Sequence, residues 1–310
     1  MQYVTDSLGG YWNAPELSNE LRIQAQPMHR FRQACDIKEA YGKGRDENWL
    51  WDKVSNLSTD AGNPTATLTE TDTIPESDLT IYQTTGTILE HGRGIGFTHK
   101  LEQFDKYDAN NSFQKALKND WAKAIDAQIE SKLDTCKVRA VYVTDTAAVT
   151  ITTNGTATAT NSVALDDYCV KEIVDYMEAT MLAPKWDKNG FYLCIATVKS
   201  LRGLHDHLQE IWKYTQYPAT GEIGSYYWTR FIRDNSGIMS STMGNGSAFG
   251  EAYFMGSEAI IEGVSEAEHI RVRETRDYGR SKGVAWYALL GFELCWQGDP
   301  DNRVVKLCSG

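Results

Sequence analysis

The 310 residues carry 31 Lys and Arg against 42 Asp and Glu, a net charge of -11, which repels phosphate and argues against tight nucleic-acid binding. A composition of 41% hydrophobic and 24% charged residues fits a globular chain of one large domain or two lobes and excludes wholesale disorder, a collagen-like repeat or a disulfide-packed scaffold. Six cysteines, at 35, 136, 169, 194, 295 and 308, form no CxxC pair, so no zinc knuckle or redox motif is spelled out and buried free thiols are expected.

Met1 to Trp12 holds Asp6 and two glycines where an export signal needs a cationic start and an apolar block, so cytoplasmic synthesis is expected. Residues 1–65 are rich in isolated aromatics (Tyr3, Tyr11, Trp12, Phe31, Tyr41, Trp49, Trp51) with one helix expected near Met28 to Tyr41. Such a segment makes no core of its own, and its rings need surfaces elsewhere in the chain or on a neighbour. Thr65 to His99 alternates around Leu79 to Tyr82 and Thr87 to Leu89 and ends in Gly92-Arg93-Gly94-Ile95-Gly96-Phe97, which reads as a long two-stranded excursion. Pro75 and Asp78 mark much of it as solvent-facing or edge.

From Asn111 to Cys136 the apolar residues Phe113, Leu117, Trp121, Ala124, Ile125, Ile129 and Leu133 recur every three or four positions, the mark of a long amphipathic helix. Val138 to Val143 reads as a strand, and Ala147 to Thr160 as a Thr-rich hairpin about Asn154-Gly155, a dipeptide suited to a type I′ turn. Helices follow over Asp166 to Met181 and Val198 to Trp212, separated by a strand at Phe191 to Ala196. Gly221 to Ser225 and Ser236 to Gly250 read as loops, and strands are expected at Ala252 to Met255, His269 to Glu274, Val284 to Trp296 and Val304 to Leu307. The longest apolar stretch, Gly283 to Phe292, is about half of what spans a bilayer and is expected as a core strand. The class is α+β.

Motifs for chemistry do not assemble. Gly92, Gly94 and Gly96 have GxGxG spacing with no Gly-Lys-Ser/Thr after them, the pattern of a strand bend more than of a phosphate loop. His205 and His207 sit two apart on an expected helix, about 200° around its axis, and cannot share an ion. Asp187-Lys188-Asn189-Gly190 begins like a calcium loop, but Val198 stands at the twelfth position. No catalytic residue, metal ligand or cofactor is expected.

Read in order, Phe31-Arg32-Gln33-Ala34, Trp49 to Thr59, Thr71 to Glu76, Glu90 to Leu101, the helix with Asp120 and Asp126, Gly221 to Gly224 followed by Tyr227 to Arg233, Ala252 to Ile261 and Gly283 to Trp296 resemble the major capsid proteins of short-tailed phages of the N-four type. The resemblance implies a Hong Kong 97-type capsid fold: an N-terminal arm at 1–65, an extended loop at 66–99, a peripheral domain at 100–165 with a spine helix at 111–136, an axial domain at 166–262, and return strands with a C-terminal tail at 263–310. It implies an icosahedral head around double-stranded DNA bound without sequence specificity. The expected partners are copies of itself as pentamers and hexamers, a separate scaffolding protein and a portal, with room for a decoration protein and no membrane. Candidate inter-subunit contacts are Trp12, Phe31, Trp49, Trp51, Pro75, Glu76, Asp78, Glu90 and Arg93. An encapsulin-type compartment shell on the same fold is the alternative, and a secreted β-rich adhesin or an enzyme with a site built from distant residues are the readings outside it.

Overall fold

The computed structural model describes residues 30–35, 37–40, 46–54, 68–71, 73, 81–104, 109–143, 148–157, 159–204, 222–247, 249–296 and 302–307. A 3-10 turn at Phe31–Ala34 leads to β1 (Ile37–Ala40), β2 (Asn48–Val54), β3 (Ile81–Thr87), β4 (Leu89–Thr98), α1 (His99–Phe104) and α2 (Ala109–Leu133). Then come β5 (Val138–Val143), β6 (Ala148–Thr152), α3 (Asp167–Ala179), β7 (Tyr192–Thr197), a second 3-10 turn at Ser200–Leu204, β8 (Glu222–Tyr226) and β9 (Thr229–Asp234). The chain closes through β10 (Ala252–Met255), β11 (Ile260–Arg276), β12 (Ser281–Leu294) and β13 (Val304–Leu307).

Three sheets result, with strand orders β1-β11-β12-β4, β6-β5-β13-β10-β7-β9-β8 and β2-β3. All six residues of β7 are buried, because both faces of the seven-stranded sheet are covered. Tyr192, Cys194 and Ala196 share a core with Phe231, Phe254 and α3. Leu193 and Ile195, pointing the other way, share a core with Tyr253, Met255 and Ile125, Ile129 and Leu133 of α2. α3 buries Cys169, Val170, Ile173, Val174 and Met177, and its first turn is capped by Asp166, whose side chain accepts from the Cys169 N–H.

The 25 residues of α2 span about 37 Å at 1.5 Å per residue. Its apolar stripe continues into Phe97, Val284, Trp286 and Ala288 of the four-stranded sheet, so one helix holds two sheets together. Its polar residues fasten it: Asp126 accepts from the Arg30 N–H at 2.7 Å, Asp120 accepts from Arg93 at 2.6 Å and from the Trp286 indole at 3.0 Å, and Lys132 pairs with Glu293 at 2.7 Å.

Several expectations are corrected. The helix expected at Met28 to Tyr41 is, over its described part, a four-residue 3-10 turn followed by β1, which pairs in parallel with Ile261–Val264 of β11. The open edge of β11 recruits this segment, and Arg32 fixes it through Glu262 and Glu268, each at 2.6 Å. The hairpin expected at Ala147 to Thr160 does not form. β6 pairs with β5 instead, and of Asn154-Gly155 only the glycine has positive φ, while the Asn154 side chain accepts from the Thr156 N–H in a local bend. Over its described part, the Gly221 to Ser225 loop is β8, paired with β9 across an irregular register at Gly224. Apart from the turn at Ser200–Leu204, the helix expected from Val198 to Trp212 lies outside the described residues, with His205 and His207.

The excursion is also built differently. β3 pairs with β2 over Asn48↔Thr87 to Val54↔Ile81, so the two-stranded ribbon starts inside the segment assigned to the arm. β4 is the edge of the four-stranded sheet, its glycines in ladder with β12. β13 does not return beside β12 but enters the seven-stranded sheet between β5 and β10.

Candidate subunit-contact surfaces

The β2–β3 ribbon has two unlike faces because Asn48 to Val54 alternates strictly. One face carries Trp49 and Trp51, which are buried, with ring centroids 6.0 Å apart. Trp49 lies over three glycines, Gly86 of β3, Gly263 of β11 and Gly291 of β12, and a Cβ at Gly86 or Gly291 would overlap the indole. Trp51 donates its indole N–H to the Cys295 carbonyl at 3.3 Å. The ribbon is thus rooted on the four-stranded sheet.

The opposite face is a row of cross-strand pairs. Asn48 accepts from Thr87 at 2.9 Å and Asp52 accepts from Gln83 at 3.1 Å. Between and beyond these polar pairs stand Leu50, 53% exposed, Val54, 51%, and Ile81, 61%. Val54 and Ile81 are opposite one another in register. A two-stranded ribbon is marginal without a further partner, and three aliphatic side chains on its free face are the groups such a partner would cover.

A second surface lies at the two-residue turn between β8 and β9. Tyr227 and Trp228 have φ of 42° and 56°, a left-handed pair that usually takes Asn-Gly and costs about 1–2 kcal/mol per L-residue. The Tyr227 hydroxyl donates to Asp175 at 2.8 Å, while the Trp228 ring sits 6.0 Å from Phe191 and stays more than half exposed. The strain holds an aromatic pair at the surface.

Of the residues singled out from sequence, Phe31, Trp49 and Trp51 are buried within their own chain, and this corrects their assignment as inter-subunit contacts. Phe31 shares the core of α2, Trp49 fits among glycines of β3, β11 and β12, and Trp51 packs in one cluster with Trp49, Ile261 and Cys295. Glu90 is exposed on β4 and bonded to the Tyr287 hydroxyl. Arg93 is exposed but tied to Asp120. Trp12, Pro75, Glu76 and Asp78 lie outside the described residues. Sequence reasoning missed Leu50, Ile81 and the Tyr227-Trp228 turn. The alternation Asn48-Trp49-Leu50-Trp51 held a signal for Leu50 once the tryptophans are placed inward, whereas no residue type announces Tyr-Trp as a left-handed turn.

Among the described residues, no group of three or more His, Cys, Asp or Glu is placed to hold a metal, and no helix is long and apolar enough to cross a membrane. Asp187 to Gly190 is a turn, closed by the Gly190 N–H on the Asp187 carbonyl at 2.9 Å. The five described cysteines are buried, and burial pushes the Cys169 and Cys194 thiols up.

No family model and no curated protein matches this chain. Solved structures do. The capsid of Ralstonia phage GP4 is similar over 100% of this chain and 99% of its own, with TM-score 0.69 at 13% identity. The capsid of cyanophage P-SCSP1u matches over 96% and 93%, with TM-score 0.66 at 9% identity. The head of Helicobacter pylori bacteriophage KHP40 matches over 99% and 96%, with TM-score 0.62 at 10% identity. At this identity the likeness is one of fold, and it runs over the whole length of both chains.

Proposed function

We propose, from the Hong Kong 97-type capsid fold that the chain adopts, that this is a major capsid protein whose copies close into the icosahedral head of a tailed phage around double-stranded DNA. The observation that carries the reading is the rooted ribbon with its outward row of Leu50, Val54 and Ile81: an apolar strip without a cover among the described residues is what a shell subunit offers its neighbours. Many weak contacts of this kind give a shell stability through multiplicity while each stays reversible. In this reading the β2–β3 ribbon is the extended loop, the four-stranded sheet with α2 is the peripheral domain, and the seven-stranded sheet with α3 is the axial domain. The Tyr227-Trp228 turn supplies a further contact.

Pentamers and hexamers are the expected capsomers. A separate scaffolding protein and a portal complete the particle in this reading, with room for a decoration protein and with assembly in the host cytoplasm. The reading assigns no catalytic role to the chain. The phage capsids and head among its structural neighbours favour a genome container over an encapsulin-type compartment. Negative-stain microscopy of the purified chain, alone and with its scaffolding partner, tests this. Rings, hexagonal sheets, tubes or closed shells are expected, co-purifying cargo protein in place of DNA would favour the compartment, and a monomer under every condition would overturn the reading.

A further inference from the structure

β6 is an edge of the seven-stranded sheet, paired with β5 alone among the described residues. Natural edge strands are protected from joining another chain by charges, prolines or bulges, and other edges of this fold follow that practice. β4 carries Glu90 and Arg93, β8 carries Glu222 and an irregular register with β9, and the outer half of β11 carries Glu266, Arg271 and Arg273 with several register shifts. β6, Ala148-Val149-Thr150-Ile151-Thr152, has none of these. Its register with β5 runs unbroken from Arg139↔Thr152 to Val143↔Ala148. No residue between Asp145 and Asp166 is charged, in a chain that is 24% charged.

The strand is also β-branched where it is uncovered. Val149 and Ile151 lie half-buried on the α3 side, and Thr150 is exposed on the other. A short, uncharged run of high β-propensity is the kind that takes an identical strand as its neighbour. The bend after it, in which the Thr152 hydroxyl donates to the Thr156 carbonyl and the Thr156 N–H to the Asn154 side chain, ends the strand at Thr152. That leaves Thr150 at its middle. Turned antiparallel on a second copy about this centre, Val149 meets Ile151 on one face, while Thr150 meets Thr150 and Ala148 meets Thr152 on the other. Such β-branched and Thr–Thr pairs are favourable opposite each other, and no like charges meet.

We infer that β6 pairs antiparallel with β6 of a second copy, about a twofold axis through Thr150, and extends the seven-stranded sheet across two chains. The shell reading assigns this edge no partner, and the pairing goes beyond it. Because Thr150 is its own mate, each strand offers the other the same row of N–H and C=O groups. An isologous pair closes on itself, so the edge is used up and not passed on to a third chain. Five residues a side make a small contact, which gains weight beside the other contacts of an assembly.

Single cysteines along the strand read the pairing in full-length chain treated with a short bis-maleimide. The described native cysteines are buried, and wild-type chain treated alike sets the background. Thr150→Cys faces its own copy and is expected to give about tenfold more crosslinked dimer than Ala148→Cys or Thr152→Cys alone, whose two copies stand about 13 Å apart along the strand. Mixing Ala148→Cys chain with Thr152→Cys chain is expected to restore the yield. Equal yields at all three positions, or none above background, overturn the inference, and so does Thr150→Cys joining a Trp228→Cys chain in preference to itself. Thr150→Lys, which sets two like charges opposite each other, is expected to lower the dimer fraction in sedimentation velocity about tenfold with the thermal melt unchanged. A lowered melt would mean that β6 is covered within its own chain, which also overturns the inference. Wild-type sedimentation and normal shells from Thr150→Lys chain overturn it and leave the shell reading in place. A crosslinked pair that never grows into rings or shells removes the shell reading and leaves the pairing standing.

Discussion

Trp49 is 2% exposed because glycines at three distant positions, 86, 263 and 291, leave a slot the width of its ring. The tryptophan was legible in the sequence as a large ring needing a surface. Its destination was not, since nothing in the spacing of those glycines ties them to one another or to position 49. The fit makes two predictions in one experiment. Trp49→Ala leaves a void and costs about 3–5 kcal/mol, while Gly86→Ala forces a methyl into the indole and costs about 1–3 kcal/mol. Because the atoms nearest that methyl all belong to the ring, the alanine at 86 is expected to be harmless once Trp49 is also alanine. Urea unfolding midpoints of the two single variants and the pair measure this, and additive losses would show that the slot is not a shared contact.

Elements whose character is written in their own periodicity were legible. α2 and α3 appear within a few residues of their expected ends, and β5, β7, β10 and β13 within one residue at either end. Elements decided by a partner elsewhere were not: Ile37–Ala40 becomes a strand because β11 has a free edge, and β3 chooses β2 over β4 because Trp49 and Trp51 bring β2 to the sheet. The ribbon that results divides its duties by face. Leu50→Asp or Ile81→Asp replaces an exposed side chain that touches little in its own chain, so monomer stability is expected to move by about 0.5 kcal/mol or less. The same charge set on a strip that another subunit must dehydrate is expected to abolish assembly. Equal melting curves with a sedimentation profile shifted to unassembled chain are the expected pair of results, and wild-type assembly by both variants would mean that this face stays in water.

At the scale of the molecule, the α+β class and the long central helix could be read from sequence, but the joining of the two large sheets could not, because it depends on residues more than a hundred positions apart. At the C-terminal end of α2, Glu130 accepts from the Tyr253 hydroxyl of β10 at 3.1 Å, and Lys306 of β13 pairs with Asp134 and, at 2.8 Å, with the buried Glu251. Arg139 of β5 reaches Asp134 at 3.5 Å. Burial is the main reason the Glu130 carboxyl is pushed up; the Tyr253 bond opposes it, and Glu251 and Asp134 reinforce it over the attraction of Lys306. Burial also pushes the Asp134 carboxyl up, but Lys306 and Arg139 outweigh it and the net is downward. The signs therefore differ. A folded-state value above the unfolded one, about 4.3 for Glu, means that ionised Glu130 strains the joint at neutral pH and that stability rises as pH falls through its folded value. A depressed value means that the stability from Asp134 is lost only as pH falls below about 3.9. Glu130→Gln keeps an acceptor for Tyr253 and removes the charge, so the variant is expected to melt above wild type at pH 7.5 and to converge on it toward pH 4. Thermal melts across that range check it, and a constant gap, or a variant less stable throughout, would show that the ionised carboxylate holds the sheets together.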